Sequence, residues 1–576
     1  MEDPTSRLTL LSMGFSSEEI DKAMLVCVSV EEAICYLVDS SPKKYNSPKK
    51  QLDKETRQSL INLVDQDSDD ESDEKSTDDD IEEYTTKLIN QHNEKKENKT
   101  KDNKIKEQPI NFNGETIYLN YISGMGNDDT GCVNFTKLFN INYNRDYDPT
   151  LKSIIMTSFV SEPSFLLPLL QRDIDITLIT HLDKNQEERS NTILNNGKFI
   201  TIYPPIIMSK GGIFHAKLLL IRFEDRLRVV ISSANLTKPD WMQWSQNIWT
   251  QDFFTSTSNT IQSKQTKLGK EFETDLRGML RTLKVPTNRI KDTFNSILFN
   301  HVSVKLVFSL PGVHSGNDLY KYGHMRLRNI LKDIDMKLHT IGKHQFIPDF
   351  DNKNASLSSG SLKKYQDICV PICSHCSSLG TLQLKWGQEM ISSCNGGIPY
   401  LGPLESHLHV VYPTYECVQN SSIGTEMAGS LTLRTDALFQ SISSRPRALS
   451  HSKLLSYIPL RESPRLPWVY AGSHNFTQSA WGKLQSNGTK ICIMNYELGI
   501  VLLPPNYIQL YNETDGNTMS PSTCQSRDNE QPDKDISTGL VIHDYINVDN
   551  LCNAVHLPFQ CPFYPYEPSD EPFMQE

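Results

Sequence analysis

A chain of 576 residues with a formal charge of −12 is too long for one ordinary domain, and three or four folding units are expected. An apolar fraction of 37% is low for a wholly globular chain and points to disordered stretches diluting a normal body. The sequence shows neither an apolar run of about 18 residues nor a secretory leader pattern, and its cysteines are scattered, so membrane-spanning and disulfide-rich secreted classes are set aside and no membrane contact is expected.

Residues 1–110 hold 16 Lys and Arg against 26 Asp and Glu, which leaves the rest of the chain close to neutral. An anionic ligand must then be held by a local basic site and not by a global field. The first forty residues read as three short amphipathic helices. Met13-Gly14-Phe15 ends the first, Ser16 or Ser17 caps the second, and Ser29 with Glu32 forms a capping box for the third. The stretch resembles a ubiquitin-associated domain, and that resemblance implies ubiquitin contacts by Met13, Gly14, Phe15 and Leu37. The alternative is a small helical cap whose Met and Phe fill its own core. Residues 41–108 lose apolar periodicity: two Ser-Pro-Lys-Lys units, the acidic run "DQDSDDESDEKSTDDDIEE" and a Lys-rich tail read as a disordered linker.

From residue 109 apolar runs of strand length ("SIIMTSF", "DITLIT", "KLLLIRF", "RVVISS") alternate with polar or helical stretches, as in an α/β sandwich. After residue 307 the pattern starts again ("HVSVKLVFSL", "LHVVYP", "WVYAGS", "LGIVLL"), with a polar loop insertion about 512–540. The division expected is therefore 109–307 and 308–576. "CVPICSHC" (369–376) invites a zinc reading, but no second ligand pair follows at zinc-finger spacing, and no metal is expected.

Each half carries the same motif. His215-x-Lys217 is followed by two apolar strands, Asn235 and Trp241; His451-x-Lys453 is followed by Asn475 and Trp481. Residues two apart on a strand project to one face, and a hairpin returns the Asn beside the His–Lys pair. One such set only binds an anion. Two sets about a pseudo-twofold axis place histidines on opposite sides of one phosphate, so that one attacks while the other protonates the leaving oxygen. Lysines and amides then take the equatorial oxygens, a role that magnesium plays elsewhere, and no cofactor is required.

These residues, with "PDWMQWSQNIW", "GHMRLRNIL", "NYELGIVLLP" and "VHLPFQCPFYPYEPSDEPF", resemble the tyrosyl-DNA phosphodiesterase branch of the phospholipase D superfamily. The superfamily's usual Asp after the Lys is absent here; Arg222 and Tyr457 lie near those places. The resemblance implies two phospholipase-D-like α/β/α halves sharing one active site. It implies His215 as nucleophile through a phosphohistidine and His451 as general acid and base. Lys217, Lys453, Asn235 and Asn475 would sit on the phosphate, with Glu497 steadying the nucleophile and Gln246 the acid. Ser374 and Ser378 would contact DNA phosphate and Phe159 would stack on a base, while Gly211 and Thr432 depart from the family pattern. The implied substrate is DNA bearing a 3′-phosphotyrosyl bond, left by topoisomerase I, or another 3′ adduct. The implied product is a 3′-phosphate, and the implied setting is a nuclear monomer engaged in DNA repair. The rivals are a lipase or nuclease on the same scaffold, or an inactive ubiquitin-binding scaffold.

Overall fold

The computed structural model describes residues 111–574 apart from internal segments, the longest being 123–130, 141–149, 183–191, 257–264, 340–368, 458–466, 514–554 and 559–565. The expected ubiquitin-associated-like module, the linker and nearly all of the 512–540 insertion lie outside the described residues. Residues from Asn111 onward form one compact unit.

Among the described residues, nine strands lie before residue 255: β1 (Asn113–Asn120), β2 (Cys132–Val133), β3 (Leu151–Ser158), β4 (Asp175–Thr180), β5 (Thr192–Leu194), β6 (Phe199–Ile202), β7 (Leu218–Phe223), β8 (Arg226–Ser232) and β9 (Asn247–Phe254). They form one mixed sheet, ordered β2-β1-β9-β8-β7-β3-β4-β6-β5. The later strands are β10 (Val304–Ser309), β11 (Gly312–Ser315), β12 (Ile372–His375), β13 (Ser378–Leu379), β14 (Leu408–Val411), β15 (Thr432–Leu433), β16 (Phe439–Gln440), β17 (Lys453–Tyr457), β18 (Trp468–Gly472), β19 (Lys483–Gln485), β20 (Lys490–Ile493) and β21 (Glu497–Leu502). Seven of them make a second sheet, β10-β21-β18-β17-β12-β14-β16.

The two sheets repeat one plan. Read as β1-β9-β8-β7-β3-β4-β6, the first has four antiparallel pairings followed by two parallel ones. The second has the same sequence of pairings in the same places. The duplication seen in the motif thus extends to the topology of seven strands.

The apolar runs become strands because both faces of each central strand are covered. Along β7, Leu218 and Leu220 face one core while Leu219, Ile221 and Phe223 face another, as a two-residue period requires. The first of these cores is continuous with Leu455, Tyr470, Leu498 and Ile500 of the second sheet, so the halves share one apolar interior. Truncating Leu218 there would cost about 2–5 kcal/mol. Helices close the outer sides. Helix α1 (Lys238–Met242) follows β8, and α2 (Lys267–Thr282), capped by the Thr266 hydroxyl, buries Leu268, Phe272, Leu276 and Met279 at helical spacing. Gly269 on α2 permits this approach, since a Cβ there would lie 1.6 Å from the Phe299 carbonyl oxygen. In the second half, α3 (Gly323–His339) and α4 (Leu384–Cys394) play the covering role, and the short α5 (Gln478–Trp481) follows β18 as α1 follows β8.

Candidate active site

Both motifs lie where a central strand begins. Lys217 immediately precedes β7 and Lys453 opens β17; the hairpins β7–β8 and β17–β18 then return the chain to Asn235 and Asn475. Ser232 pairs with Ile248 in one half and Gly472 with Gly499 in the other. Counting back two residues along each second strand puts Gln246 and Glu497 in the same structural position.

Each half holds the other's histidine. The His215 N–H of the backbone donates to the Tyr496 carbonyl at 2.9 Å, and that of His451 donates to the Ser245 carbonyl at 2.8 Å. The His215 ring donates from Nδ1 to Glu497 Oε2 at 2.8 Å, and the His451 ring donates from Nδ1 to Gln246 Oε1 at 3.2 Å. These acceptors are themselves fixed. Ser473 Oγ donates to Glu497 Oε2 at 2.6 Å and Ser233 Oγ to Gln246 Oε1 at 2.7 Å, while Asn495 Nδ2 donates to Glu497 Oε1 at 3.1 Å. Backbone oxygens complete the exchange, Ser473 to His215 and Ser233 to His451. With Nδ1–H engaged, each neutral ring carries its lone pair on Nε2.

The two histidines and two lysines form one electrostatic unit. All four are buried. Burial, then Lys217 and Lys453, hold the His215 imidazole well below its usual range. Burial, then Lys453, Lys217 and His215 itself, do the same to His451. Burial lowers Lys217 to about 7 against the pull of Glu497 and Asp240; Lys453 is lowered by burial and by Lys217. Each lysine also donates to the carbonyl of its own histidine, Lys217 Nζ to His215 O at 2.8 Å and Lys453 Nζ to His451 O. Two lysines and two histidines buried together at one point favour a bound anion. Burial lifts the Glu497 carboxyl, opposed by its neighbours His474 and Lys217 and by the Ser473 and Asn495 hydrogen bonds.

The other expected residues are placed as follows. Asn475 Oδ1 accepts from Ser377 Oγ at 3.3 Å and from the Ser378 N–H at 3.1 Å, so Ser378 reaches the site through its backbone. Ser374 is buried within β12 and hydrogen-bonds to the Cys376 thiol. The Phe159 ring stands 5.8 Å from that of His215 and 4.9 Å from that of His181; Trp244 lies against His451 at 6.1 Å. Gly211 adopts a positive φ with open space where a Cβ would lie. Cys373 and Cys376 are packed in the apolar core. Residues not singled out from sequence also meet here: Ser233, Ser473 and Asn495, which fix the acceptors, and Asn247, whose Oδ1 accepts from the Lys453 N–H at 2.9 Å. Each of the two serines stands two residues before the asparagine of its motif, Ser233-Ala-Asn235 and Ser473-His-Asn475, which was the available signal.

Two copies of one sheet that share a single doubly imidazole, doubly lysine centre define a phospholipase D-like protein. The sequence comparison makes this particular. The family model described as tyrosyl-DNA phosphodiesterase matches residues 116–567, and the chain belongs to the tyrosyl-DNA phosphodiesterase family. Among curated relatives, tyrosyl-DNA phosphodiesterase 1 of Arabidopsis thaliana is 27% identical over 404 residues, 65% of this chain and 60% of the relative. A probable tyrosyl-DNA phosphodiesterase of Caenorhabditis elegans is 23% identical over 422 residues, 67% of this chain and 87% of the relative. The chain thus spans 60% of the length of the plant relative. The crystal structure of the yeast tyrosyl-DNA phosphodiesterase aligns with a TM-score of 0.49 at 15% identity, covering 80% of this chain and 99% of that one.

Proposed function

We propose that this protein hydrolyses 3′-phosphotyrosyl bonds in DNA, and related 3′-blocking adducts, through a phosphohistidine at His215. The observation that supports this most is the reciprocal holding of the two imidazoles: each ring is fixed by the opposite half, with its Nε2 left for chemistry. In the first step neutral His215 Nε2 attacks phosphorus. The P–N bond forms, the P–O bond to tyrosine breaks, and His451 gives its Nε2 proton to the departing phenolate oxygen. In the second step His451 takes a proton from water, the oxygen attacks phosphorus from the vacated side, and the P–N bond breaks to release a 3′-phosphate.

Charge distribution supports this division of labour. An N-phosphorylated imidazole is cationic, and Glu497 beside His215 offers a carboxylate to it. His451 must lose and regain a proton in every turnover, and the uncharged Gln246 does not trap that proton. Binding an anionic phosphodiester between the lysines offsets their depression of His451 and favours its protonated form. Lys217, Lys453, Asn235 and Asn475 stabilise the equatorial oxygens as charge builds up.

The test is cleavage of a 3′-tyrosyl oligonucleotide in excess EDTA, read on a denaturing gel beside a phosphatidylcholine assay. Release of a 3′-phosphate oligonucleotide is expected. Metal-dependent cleavage, or turnover of lipid alone, would overturn the proposal. We further infer a nuclear monomer acting on topoisomerase I remnants, with Met13, Gly14, Phe15 and Leu37 contacting ubiquitin; titration of labelled monoubiquitin with the full chain, against Phe15→Ala, tests the last point.

A further inference from the structure

The two asparagines of the duplicated motif are held by different means. Asn475 is tied through its side-chain oxygen by Ser377 and Ser378. Asn235 is tied by Asp240, whose Oδ2 accepts from the Asn235 backbone N–H, while the Asn235 side-chain amide also hydrogen-bonds to that carboxyl. The Trp241 indole N–H donates to the Asn235 carbonyl at 2.9 Å, and the Thr237 hydroxyl caps the Asp240 N–H at 3.3 Å. Together these bonds close the turn from β8 into α1 around Asn235. Its side-chain Oδ1 is buried without a hydrogen-bond partner. An amide nitrogen has two hydrogens; with one on Asp240, the other remains for an anion.

Asp240 has no counterpart in the second half. The sequences run Ser233-Ala-Asn-Leu-Thr-Lys-Pro-Asp240-Trp and Ser473-His-Asn-Phe-Thr-Gln-Ser-Ala480-Trp, so Ala480 stands in its place. Asp240 is only 8% exposed, and a buried carboxylate kept where its duplicate is an alanine needs a reason. We propose that Asp240 is a positioning residue for phosphoryl transfer: it aligns the Asn235 amide and sets a buried carboxyl near Lys217 and Lys453 as a counter-charge before substrate arrives. This rests on the phosphodiesterase reading above.

The groups around it are consistent with that role. Lys217 is raised by Glu497 and Asp240. Lys453 faces Lys217, Asp240, Glu497 and Cys376, the last three of which raise it. Burial lifts Asp240 itself, whereas the Asn235 bonds and the two lysines favour its anion. The chain therefore balances two buried ammonium groups with two buried carboxyls, one from each half. Glu497 also serves a histidine; Asp240 serves an asparagine.

The experiment compares Asp240→Asn, Asp240→Ala, Asn235→Ala and the double variant Asp240→Ala/Asn235→Ala in the full chain. The readouts are 3′-tyrosyl oligonucleotide turnover and calorimetric binding of orthovanadate from pH 6 to 9, with thermal unfolding as a control for folding. Asp240→Asn keeps an oxygen to accept the Asn235 N–H but removes the charge. Its alkaline limb, in turnover and in vanadate binding, is expected to move down by about one pH unit. Asp240→Ala is expected to lose a further factor of about ten in turnover, and the double variant to be little worse than Asp240→Ala alone. An unshifted limb in Asp240→Asn, or additive losses in the double variant, would overturn the inference. If the unsubstituted chain neither cleaves the oligonucleotide nor binds vanadate, the phosphate-site reading itself fails, a result distinct from an unshifted limb.

Discussion

The two half-sites share a backbone plan and differ in what they put behind each ring. Around His215 the second half places a carboxylate, two hydrogen-bond donors to it, and the buried His474 nearby. Around His451 the first half places an amide and a single hydroxyl, and the position of His474 is held by Ala234. Duplication supplies two equivalent imidazoles, and the surrounding charges make them unequal. A symmetrical pair would leave open which ring attacks. In the proposed scheme, a carboxylate on one side and an amide on the other suit His215 to the cationic intermediate and His451 to the mobile proton.

The largest effects come from removing either ring. His215→Ala takes away the only nucleophile in the scheme, and turnover of the 3′-tyrosyl oligonucleotide should fall by a factor on the order of 10⁴–10⁶. His451→Asn should slow each step by a factor on the order of 10²–10⁴ and leave a DNA–protein adduct visible on a denaturing gel during turnover. If the adduct instead builds up with His215→Asn and not with His451→Asn, the comparison is inverted and the roles must be exchanged.

Changes that make the two sides alike should be smaller. Glu497→Gln turns the nucleophile's partner into that of the acid and should cost about 10- to 100-fold in turnover, with folding preserved by the shared shape. Gln246→Glu does the reverse: a carboxylate beside His451 stabilises its imidazolium, so the acid releases its proton less readily and the pH for that step moves upward. If the two substitutions have equal effects, the environments of the rings are not what distinguishes them.

The pH profile of kcat/KM, which reports the free enzyme, sharpens the same point. In the proposed scheme His451 must carry a proton for the first step and Lys217 must be protonated to hold a phosphate oxygen; His451 is held well below its usual range and burial brings Lys217 to about 7, so kcat/KM should decline as pH rises and keep falling above about 7. His215 must be neutral to attack, and it is held well below its usual range, so the acid limb should lie below pH 6.5. A profile rising through pH 8 would contradict both assignments.

Much of this was legible in the sequence because the duplicated signature is local. His-x-Lys before an apolar strand fixes the face on which both side chains lie, and the hairpin length returns the asparagine. Glu497 and Gln246 were found by resemblance, and only strand register explains why they are equivalent. Contacts between halves were not legible: that His215 donates to Tyr496, or His451 to Ser245, depends on packing between segments hundreds of residues apart. Asp240 was passed over because an Asp after a Thr-Lys-Pro run looks like ordinary helix-start chemistry, which it also performs.

The finest distinction concerns Ser374, Ser377 and Ser378, at and between β12 and β13. Sequence resemblance favoured Ser374 and Ser378, yet the hydroxyl that touches the asparagine belongs to Ser377. Ser377→Ala removes one of two donors to Asn475 Oδ1, while the Ser378 N–H survives any side-chain change. One neutral hydrogen bond is worth about 1 kcal/mol, so turnover should drop about fivefold with little change in unfolding temperature. Ser374→Ala, within β12, removes the hydrogen bond to the Cys376 thiol and should lower the unfolding temperature with little effect on turnover. If turnover responds to Ser374 and ignores Ser377, the first of these serines reaches substrate by a rearrangement of β12, and Asn475 is held well enough by the Ser378 backbone alone.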